Sequence, residues 1–331
     1  MNSKSNSLVI ASSTENMFFA SRIAKLLSIE DSVVEFKTFA DSDVYRRITQ
    51  SLRGKDAFAI ATYQPPIPLR HYEMLVLLDA IKRNSANSIT AVLPFYWGSR
   101  QDRKTKRGEP ITAAMIAETL TIAGAERLVT MDLHSSQIQA VVKSFDNLTA
   151  LPVFARFINE NFDASQLVIV APDAGGVQRA LYIKNHVQAA DFAIIYKSRP
   201  EPNVARALDI TGFVDGKTAV IVDDILDTGG TLSKAVELLF KKGARQVKAF
   251  VTHALLSGKA FELVEDLDIE LYTTNTVFHE DKPKQLKTFD VTPIFAEVIA
   301  CIHEGRTTSN LFHPETVSNV YEKFGLGINP S

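Results

Sequence analysis

The sequence predicts an α/β protein built as two similar halves, each a mainly parallel sheet flanked by helices. Two observations lead there. Short apolar runs alternate with amphipathic stretches along almost the whole chain, the signature of stacked βα units. The length, 331 residues, also exceeds what one small core organises, so two domains are the natural division. In the first half the predicted strands are residues 8–11, 33–39, 58–62, 89–95 and 127–132, with helices at 13–27, 72–83 and 111–124. The last helix puts Ala113, Ile116, Leu120 and Ala123 on one face, the spacing of a buried stripe. The second half repeats the scheme with strands at 167–171, 191–196, 218–222, 246–252 and 270–274 and helices at 176–185 and 230–242. No residue-level repeat accompanies this duplication. A boundary near residues 147–152 gives domains 1–149 and 150–305. Residues 306–331 form a tail expected to pack back on the first domain, fraying or packing late from about Pro314.

Composition narrows the function classes. Nearly half the residues are apolar (46%) and the formal net charge is −2, which suits a globular protein and not a nucleic-acid binder relying on bulk positive charge. The single cysteine, Cys301, rules out an internal disulfide framework or a cysteine-rich zinc site, as suits a reducing cytoplasm. The apolar run near the N-terminus is too short for a signal peptide, and no apolar run approaches the ~20 residues that span a bilayer. The expectation is a cytoplasmic protein without a membrane partner.

The most informative stretch is residues 219–232, Ala-Val-Ile-Val-Asp-Asp-Ile-Leu-Asp-Thr-Gly-Gly-Thr-Leu. An apolar strand runs into Asp223 and Asp224, and a short hinge leads to Asp227, Thr228, Gly229, Gly230 and Thr231 at the start of a helix. Glycines and a helix N-terminus let backbone N–H groups approach an anion, and the two threonines add hydroxyl donors. Asp223 and Asp224 repel phosphate but suit sugar hydroxyls or a hard divalent metal. A phosphate end beside a diol or metal end describes a cradle for ribose 5-phosphate.

Four further stretches carry chemistry. Asp173-Ala174-Gly175-Gly176 follows a strand and opens a helix, an anion site with a metal-capable carboxylate beside it; a tight turn without a ligand is the plainer alternative. Lys197-Ser198-Arg199-Pro200 ends another strand, and its two cations suit a polyphosphate, although such a pair is also common on solvated surfaces. Arg100-Gln101-Asp102-Arg103-Lys104 follows Phe95-Tyr96-Trp97; aromatic and basic residues so placed could bind RNA, or stack an adenine and clamp a triphosphate. His134 lies just past a strand, where a neutral imidazole can meet a metal or a phosphate oxygen or simply be structural.

Together with Phe39-Ala40-Asp41-Ser42-Asp43, these stretches resemble class I ribose-phosphate pyrophosphokinase over nearly the whole chain. A phosphoribosyltransferase would share only the 222–231 stretch. The resemblance implies two phosphoribosyltransferase-like domains and a homo-oligomer, a hexamer assembled from dimers. It implies transfer of the β,γ-diphosphoryl group of MgATP to the 1-hydroxyl of ribose 5-phosphate, with Mg2+ as cofactor. Position by position, it assigns adenine stacking to Arg100 and to Phe39 from a neighbouring subunit. Nucleotide contacts fall to Asp41, Asp43, Gln101 and Asp102, and the magnesium–triphosphate to His134 and Asp173. Residues Asp173, Ala174, Gly175 and Gly176 would form a diphosphate loop. Lys197 and Arg199 would stabilise the transition state, Arg199 also nearing the sugar phosphate. Asp223 and Asp224 would hold ribose hydroxyls and metal-bound water, and residues 227–231 the 5-phosphate.

The departures from the family pattern also carry expectations. Asp43 stands where the family usually has Glu. Pro68-Leu69-Arg70-His71 replaces its usual Asn-Asp-Asn-Leu, which is expected to change subunit packing. Thr307 replaces a serine of the regulatory site that Ser51, Arg53, Ser85, Ser309 and Phe312 otherwise match, so an altered response to ADP and phosphate is expected. Competing readings are a catalytically silent regulatory relative, which would be expected to have lost cation or metal positions retained here, and a phosphoribosyltransferase, which leaves the first 150 residues without a role. RNA binding fits poorly with near-neutral net charge.

Overall fold

The computed structural model describes residues 7–15, 17–30, 33–188, 191–198 and 207–331. By its contacts the chain divides into two compact units: residues up to 149 with 276–278 and 292–310, and residues 150–275 with 279–291 and 311–331. In chain order the first unit begins β1 (Leu8–Ser12), α1 (Phe18–Leu27), β2 (Val34–Thr38), β3 (Val44–Ile48), β4 (Asp56–Ile60), α2 (Ile67–Arg83), β5 (Ser88–Val92), α3 (Thr112–Ala123), β6 (Arg127–Met131) and β7 (Phe145–Leu148). The second continues with α4 (Leu151–Asn161), β8 (Leu167–Ala171), α5 (Val177–Val187), β9 (Asp191–Ser198), β10 (Ala207–Thr211), β11 (Thr218–Leu226), α6 (Gly230–Lys241), β12 (Gln246–Ala254), α7 (Ala260–Glu265), β13 (Glu270–Thr274) and β14 (Leu286–Phe289). Helices α8 (Thr292–Glu304) and α9 (Pro314–Lys323) follow. Among the described residues no helix is long and apolar enough to cross a membrane.

Both units are built on a mainly parallel sheet with helical crossovers, as the alternation of apolar runs predicts. The first sheet has the order β1-β4-β5-β6-β7, parallel throughout. Strands covered on both faces need uninterrupted apolar sequence, and all five residues of β1 are buried. The second sheet has the order β10-β9-β8-β11-β12-β13-β14, with only β10 antiparallel, at one edge. From β8 the chain crosses through α5 to β9 on one side, whereas from β11 it crosses through α6 to β12 on the other. The loops leaving β8 and β11 therefore diverge, and the crevice between their carboxyl ends is the place where open sheets of this kind receive ligands.

Several elements differ from expectation, each for a readable reason. The strand expected at 33–39 is one arm of a hairpin: β2 pairs antiparallel with β3 in a separate two-stranded sheet. Helix α2 starts at Ile67 rather than 72 because Pro68 lies in its first turn, where a missing N–H costs no hydrogen bond. Strand β11 continues through both carboxylates to Leu226, since its long partner β12 keeps pairing, Asp223 opposite Val251 and Ile225 opposite His253. The tail does not fray from Pro314. It folds as α9, whose Val317, Val320 and Tyr321 are buried and which packs on α4; of the tail expected on the first domain, residues 306–310 belong to the first unit and 311–331 to the second. The Tyr321 hydroxyl donates to the Asp290 carbonyl at 2.6 Å. Helix α8 in turn belongs to the first unit, where Phe295 meets Phe19 of α1 edge to face, with ring centroids 5.2 Å apart.

Part of the second unit's stability is set by ionisation. Glu270 accepts hydrogen bonds from Lys248, from Lys287 Nζ at 2.6 Å and from the Tyr272 hydroxyl at 2.6 Å. Burial raises its pKa, but the three donors outweigh this and bring it down from 4.5 to about 2. A depressed carboxylate stabilises the folded state above its unfolded value and loses that contribution as pH falls through the folded value. Between about pH 4.5 and 2, denaturation midpoints should therefore fall less steeply for Glu270→Gln than for the wild type, and parallel curves would contradict this role.

Candidate active site

In the second unit the predicted residues gather at the carboxyl ends of β8 and β11. After β8 the chain turns at Asp173, whose Oδ1 accepts the Gly176 N–H at 3.0 Å, capping the loop that leads into α5. A Cβ on Gly176 would sit 3.1 Å from Pro172 Cδ, so a larger residue would have to push this turn open. At the end of β11, Asp223 Oδ1 accepts the Asp224 N–H at 2.9 Å. Gly229, with φ of 79°, takes the left-handed conformation that starts α6, a backbone state that glycine enters without strain.

Asp224 is 3% exposed and is held by Arg179 of α5, Nη2 to Oδ2 at 2.9 Å. Arg179 Nη1 also donates to the Gly175 carbonyl at 3.3 Å. Asp223 is only partly covered. Burial, and next the charge of Asp224, push its carboxyl well above the usual carboxylate range, against the opposing pull of Arg179.

A cavity of about 470 Å3 lies among these loops. It brings together Asp173, Ala174 and Gly175 with Gly230 and Thr231 and is completed by Tyr196 of β9, Leu208 of β10 and Lys234 of α6. Asp173, Thr231 and Lys234 bring a carboxylate, a hydroxyl and an ammonium group to its lining, which suits a phosphorylated polyol. Lys197 is the penultimate residue of β9, which runs parallel beside β8. Arg199 lies outside the described residues. Sequence reasoning missed Arg179 and Lys234. Each lies on the same helical stretch as a recognised turn, three residues after Gly176 and after Thr231, the spacing at which a helix returns to one face.

In the first unit, the loops leaving the adjacent parallel strands β5 and β6 carry Arg100, Gln101, Asp102 and His134 to one edge of the sheet. The Met131 N–H donates to the Pro94 carbonyl at 3.3 Å, joining the two loops at their base. Arg100, Gln101 and His134 are exposed and Asp102 partly so. The Gln101 carbonyl accepts the Ala113 N–H at 3.2 Å, and its side-chain oxygen accepts the Thr112 hydroxyl, pinning the loop to the start of α3. Leu133 N–H donates to Asn147 Oδ1 at 3.0 Å, fixing the approach to His134. In the basic loop, the Glu109 carboxylate accepts from the Thr105 and Lys106 N–H groups, both at 2.8 Å, which orders the turn.

Phe39, Asp41 and Asp43 are on the β2–β3 hairpin, outside the main sheet. The turn closes through the Phe39 N–H to the Asp43 carbonyl at 2.9 Å, and Asp41 Oδ1 accepts the Asp43 N–H at 3.2 Å. The Phe39 ring is 42% exposed and rests edge-on against Tyr45, with Lys37 Nζ 4.6 Å from its centroid. A larger cavity of about 710 Å3, with Lys82, Ile89, Ile122 and Glu126 in its wall, opens at the amino ends of β5 and β6, the opposite edge from Arg100 and His134.

Comparison with known proteins bears on the family and the fold. Residues 8–124 match the N-terminal domain of ribose phosphate pyrophosphokinase, and residues 184–313 the phosphoribosyl synthetase-associated domain. The chain is 42% identical over 311 residues to the ribose-phosphate pyrophosphokinase of Caldanaerobacter subterraneus subsp. tengcongensis, covering 93% of this chain and 98% of the relative. Identity to the Thermotoga maritima protein of the same name is 38% over 312 residues, covering 93% and 99%. The crystal structure of phosphoribosylpyrophosphate synthetase from Mycobacterium smegmatis superposes with a TM-score of 0.85 at 34% identity, covering 90% of this chain and 99% of that one. By sequence along nearly its full length and by fold, this chain belongs to the ribose-phosphate pyrophosphokinase family.

Proposed function

We propose that this chain synthesises 5-phosphoribosyl 1-pyrophosphate, transferring the β,γ-diphosphoryl group of MgATP to the 1-hydroxyl of ribose 5-phosphate and releasing AMP. The observation that carries the proposal is the β8–β11 crevice, where Asp223 and Asp224 lie in the carboxyl-terminal part of one strand, Asp173 follows its neighbour, and the glycine-rich start of α6 shares a cavity with the Asp173 loop. Residues 227–231 receive the 5-phosphate through backbone N–H and hydroxyl donors, and Asp223 and Asp224 accept hydrogen bonds from the ribose hydroxyls. The Asp173–Gly176 loop receives the diphosphoryl group. In the first unit, Arg100, Gln101 and Asp102 contact the nucleotide, His134 the triphosphate, and Phe39, Asp41 and Asp43 supply nucleotide contacts from the hairpin to a neighbouring copy in a homo-oligomer.

Among the described residues no group of three or more metal-ligating side chains exists. The carboxylate of Asp173, in the loop that lines the cavity, fits magnesium, which keeps several waters and binds through substrate phosphates with one or two carboxylates. Asp173 and His134 are the residues that would serve it, and when bound it would offset charge on the phosphoryl oxygens. The remaining work is alignment and cationic stabilisation, and the latter falls to Lys197, the penultimate residue of β9, and to Arg199, which follows it in sequence.

Incubation of the purified protein with MgATP and ribose 5-phosphate should give AMP and phosphoribosyl pyrophosphate in equal amounts, each dependent on magnesium and on the sugar phosphate. Nucleotide binding without AMP formation would overturn the proposal and favour a silent, regulatory subunit. Asp224→Ala should raise the ribose 5-phosphate KM by about 10- to 100-fold, the worth of a hydrogen bond to a charged group. An unchanged KM would remove Asp224 from the diol site.

A further inference from the structure

We infer that Arg179 is a positioning residue of this site, acting on ribose 5-phosphate through Asp224 and through the diphosphate loop; the inference rests on the reading of the β8–β11 crevice given above. Arg179 sits in the first turn of α5, the helix that leaves the β8 loop. Its guanidinium bonds in two directions at once, 2.9 Å to Asp224 Oδ2 at the end of β11 and 3.3 Å to the Gly175 carbonyl after β8. It therefore spans the point where the two loops diverge. The Arg179 side chain is 16% exposed and that of Asp224 4%, so the pair is held away from bulk water.

Burial at this depth has two consequences. A carboxylate this covered needs a compensating cation to remain an acceptor, and Arg179 supplies it at 2.9 Å. A planar guanidinium that holds a carboxylate oxygen and a backbone carbonyl together also fixes their separation, which an ammonium group on a flexible stem does not. The oxygen of Asp224 that faces a sugar hydroxyl is thus oriented from behind, as ligating groups are oriented by the residues that support them. Neither Arg179 nor Asp224 lines the cavity that holds Thr231 and Lys234, so the pair stands apart from the residues that would meet the 5-phosphate. The effect of Arg179 is accordingly expected on the sugar hydroxyls and not on the 5-phosphate.

The test is a double-mutant cycle read by equilibrium binding of ribose 5-phosphate to the full-length protein, with calorimetry as the readout so that turnover is not required. Arg179→Met and Asp224→Asn should each weaken ribose 5-phosphate by about 10- to 100-fold. The double variant should be no weaker than the poorer single variant, because both changes disable one unit. Arg179→Lys, which keeps the charge and guards against a folding defect, should fall between wild type and Arg179→Met. Multiplying effects in the double variant, or unchanged binding in Arg179→Met, would overturn the inference. A wild type that binds ribose 5-phosphate and shows this coupling but forms no AMP would instead refute the proposed reaction while leaving the role of Arg179 standing.

Discussion

Lys197→Ala should lower turnover by about 10²- to 10³-fold while leaving the affinity for ribose 5-phosphate nearly unchanged. Attack of a sugar hydroxyl on a phosphorus atom spreads charge over the phosphoryl oxygens, and that charge grows only as the transition state is approached. A cation that meets it there contributes to the rate, not to ground-state binding, and losing one such group costs roughly 3 to 4 kcal/mol of barrier. Lys197 is the penultimate residue of β9, and β9 runs parallel beside β8, so the chain delivers this position to the edge of the sheet that carries Asp173. Steady-state kinetics with both substrates varied, combined with direct binding of the sugar phosphate, checks the split. Equal losses in kcat and in ribose 5-phosphate affinity would show that Lys197 holds the ground state instead.

Glu73→Ala is expected to destabilise the first unit by about 3 to 5 kcal/mol, the usual cost of leaving buried charge without its partner. Glu73 of α2 stands between two arginines, with Oε1 2.7 Å from Arg46 Nη2 and Oε2 2.6 Å from Arg70 Nη1. The three side chains are 7%, 2% and 17% exposed respectively. Arg46 comes from β3, and its Nε also donates to the Ser13 carbonyl at 3.0 Å, so this carboxylate fastens the hairpin to α2 and to the loop after β1. Burial lowers the Arg46 pKa and Glu73 opposes that effect; without Glu73 the buried Arg46 would be left beside the like charge of the half-buried Arg70. Trp97, the single tryptophan, is buried in the same unit and reports its unfolding by fluorescence in denaturant. A loss below about 1 kcal/mol would mean that the cluster is solvated enough to be replaced. Because the hairpin carries Phe39, the same variant should also weaken nucleotide binding more than ribose 5-phosphate binding.

This cluster shows what a sequence conceals. Arg46, Arg70 and Glu73 read as ordinary surface charges, two of them on an amphipathic helix, and only the hairpin folding over α2 buries them. The hairpin itself was half legible: the run at 33–39 is apolar enough to be seen, whereas Val-Tyr-Arg-Arg-Ile mixes charge into β3 because one arginine points inward to an ion pair. The tail gave a similar difficulty. The apolar residues of α9 are few, and their burial depends on α4, whose helical period begins right at the domain boundary.

The site divides along the same line. Local chemistry was determined by the sequence alone: which strand ends carry carboxylates, where glycines start helices, and where cations follow strands. These are short-range matters of backbone freedom, capping and charge, fixed within about ten residues. The tertiary structure alone decided which loops meet. The reversal of crossover direction between β8 and β11 opens a crevice at Asp173 and Asp224, because two chains leaving adjacent strands in opposite directions cannot cover the gap between them. It also decided that Arg179 bonds Asp224 and so ties the two loops together, a contact between residues 45 positions apart that no local pattern encodes.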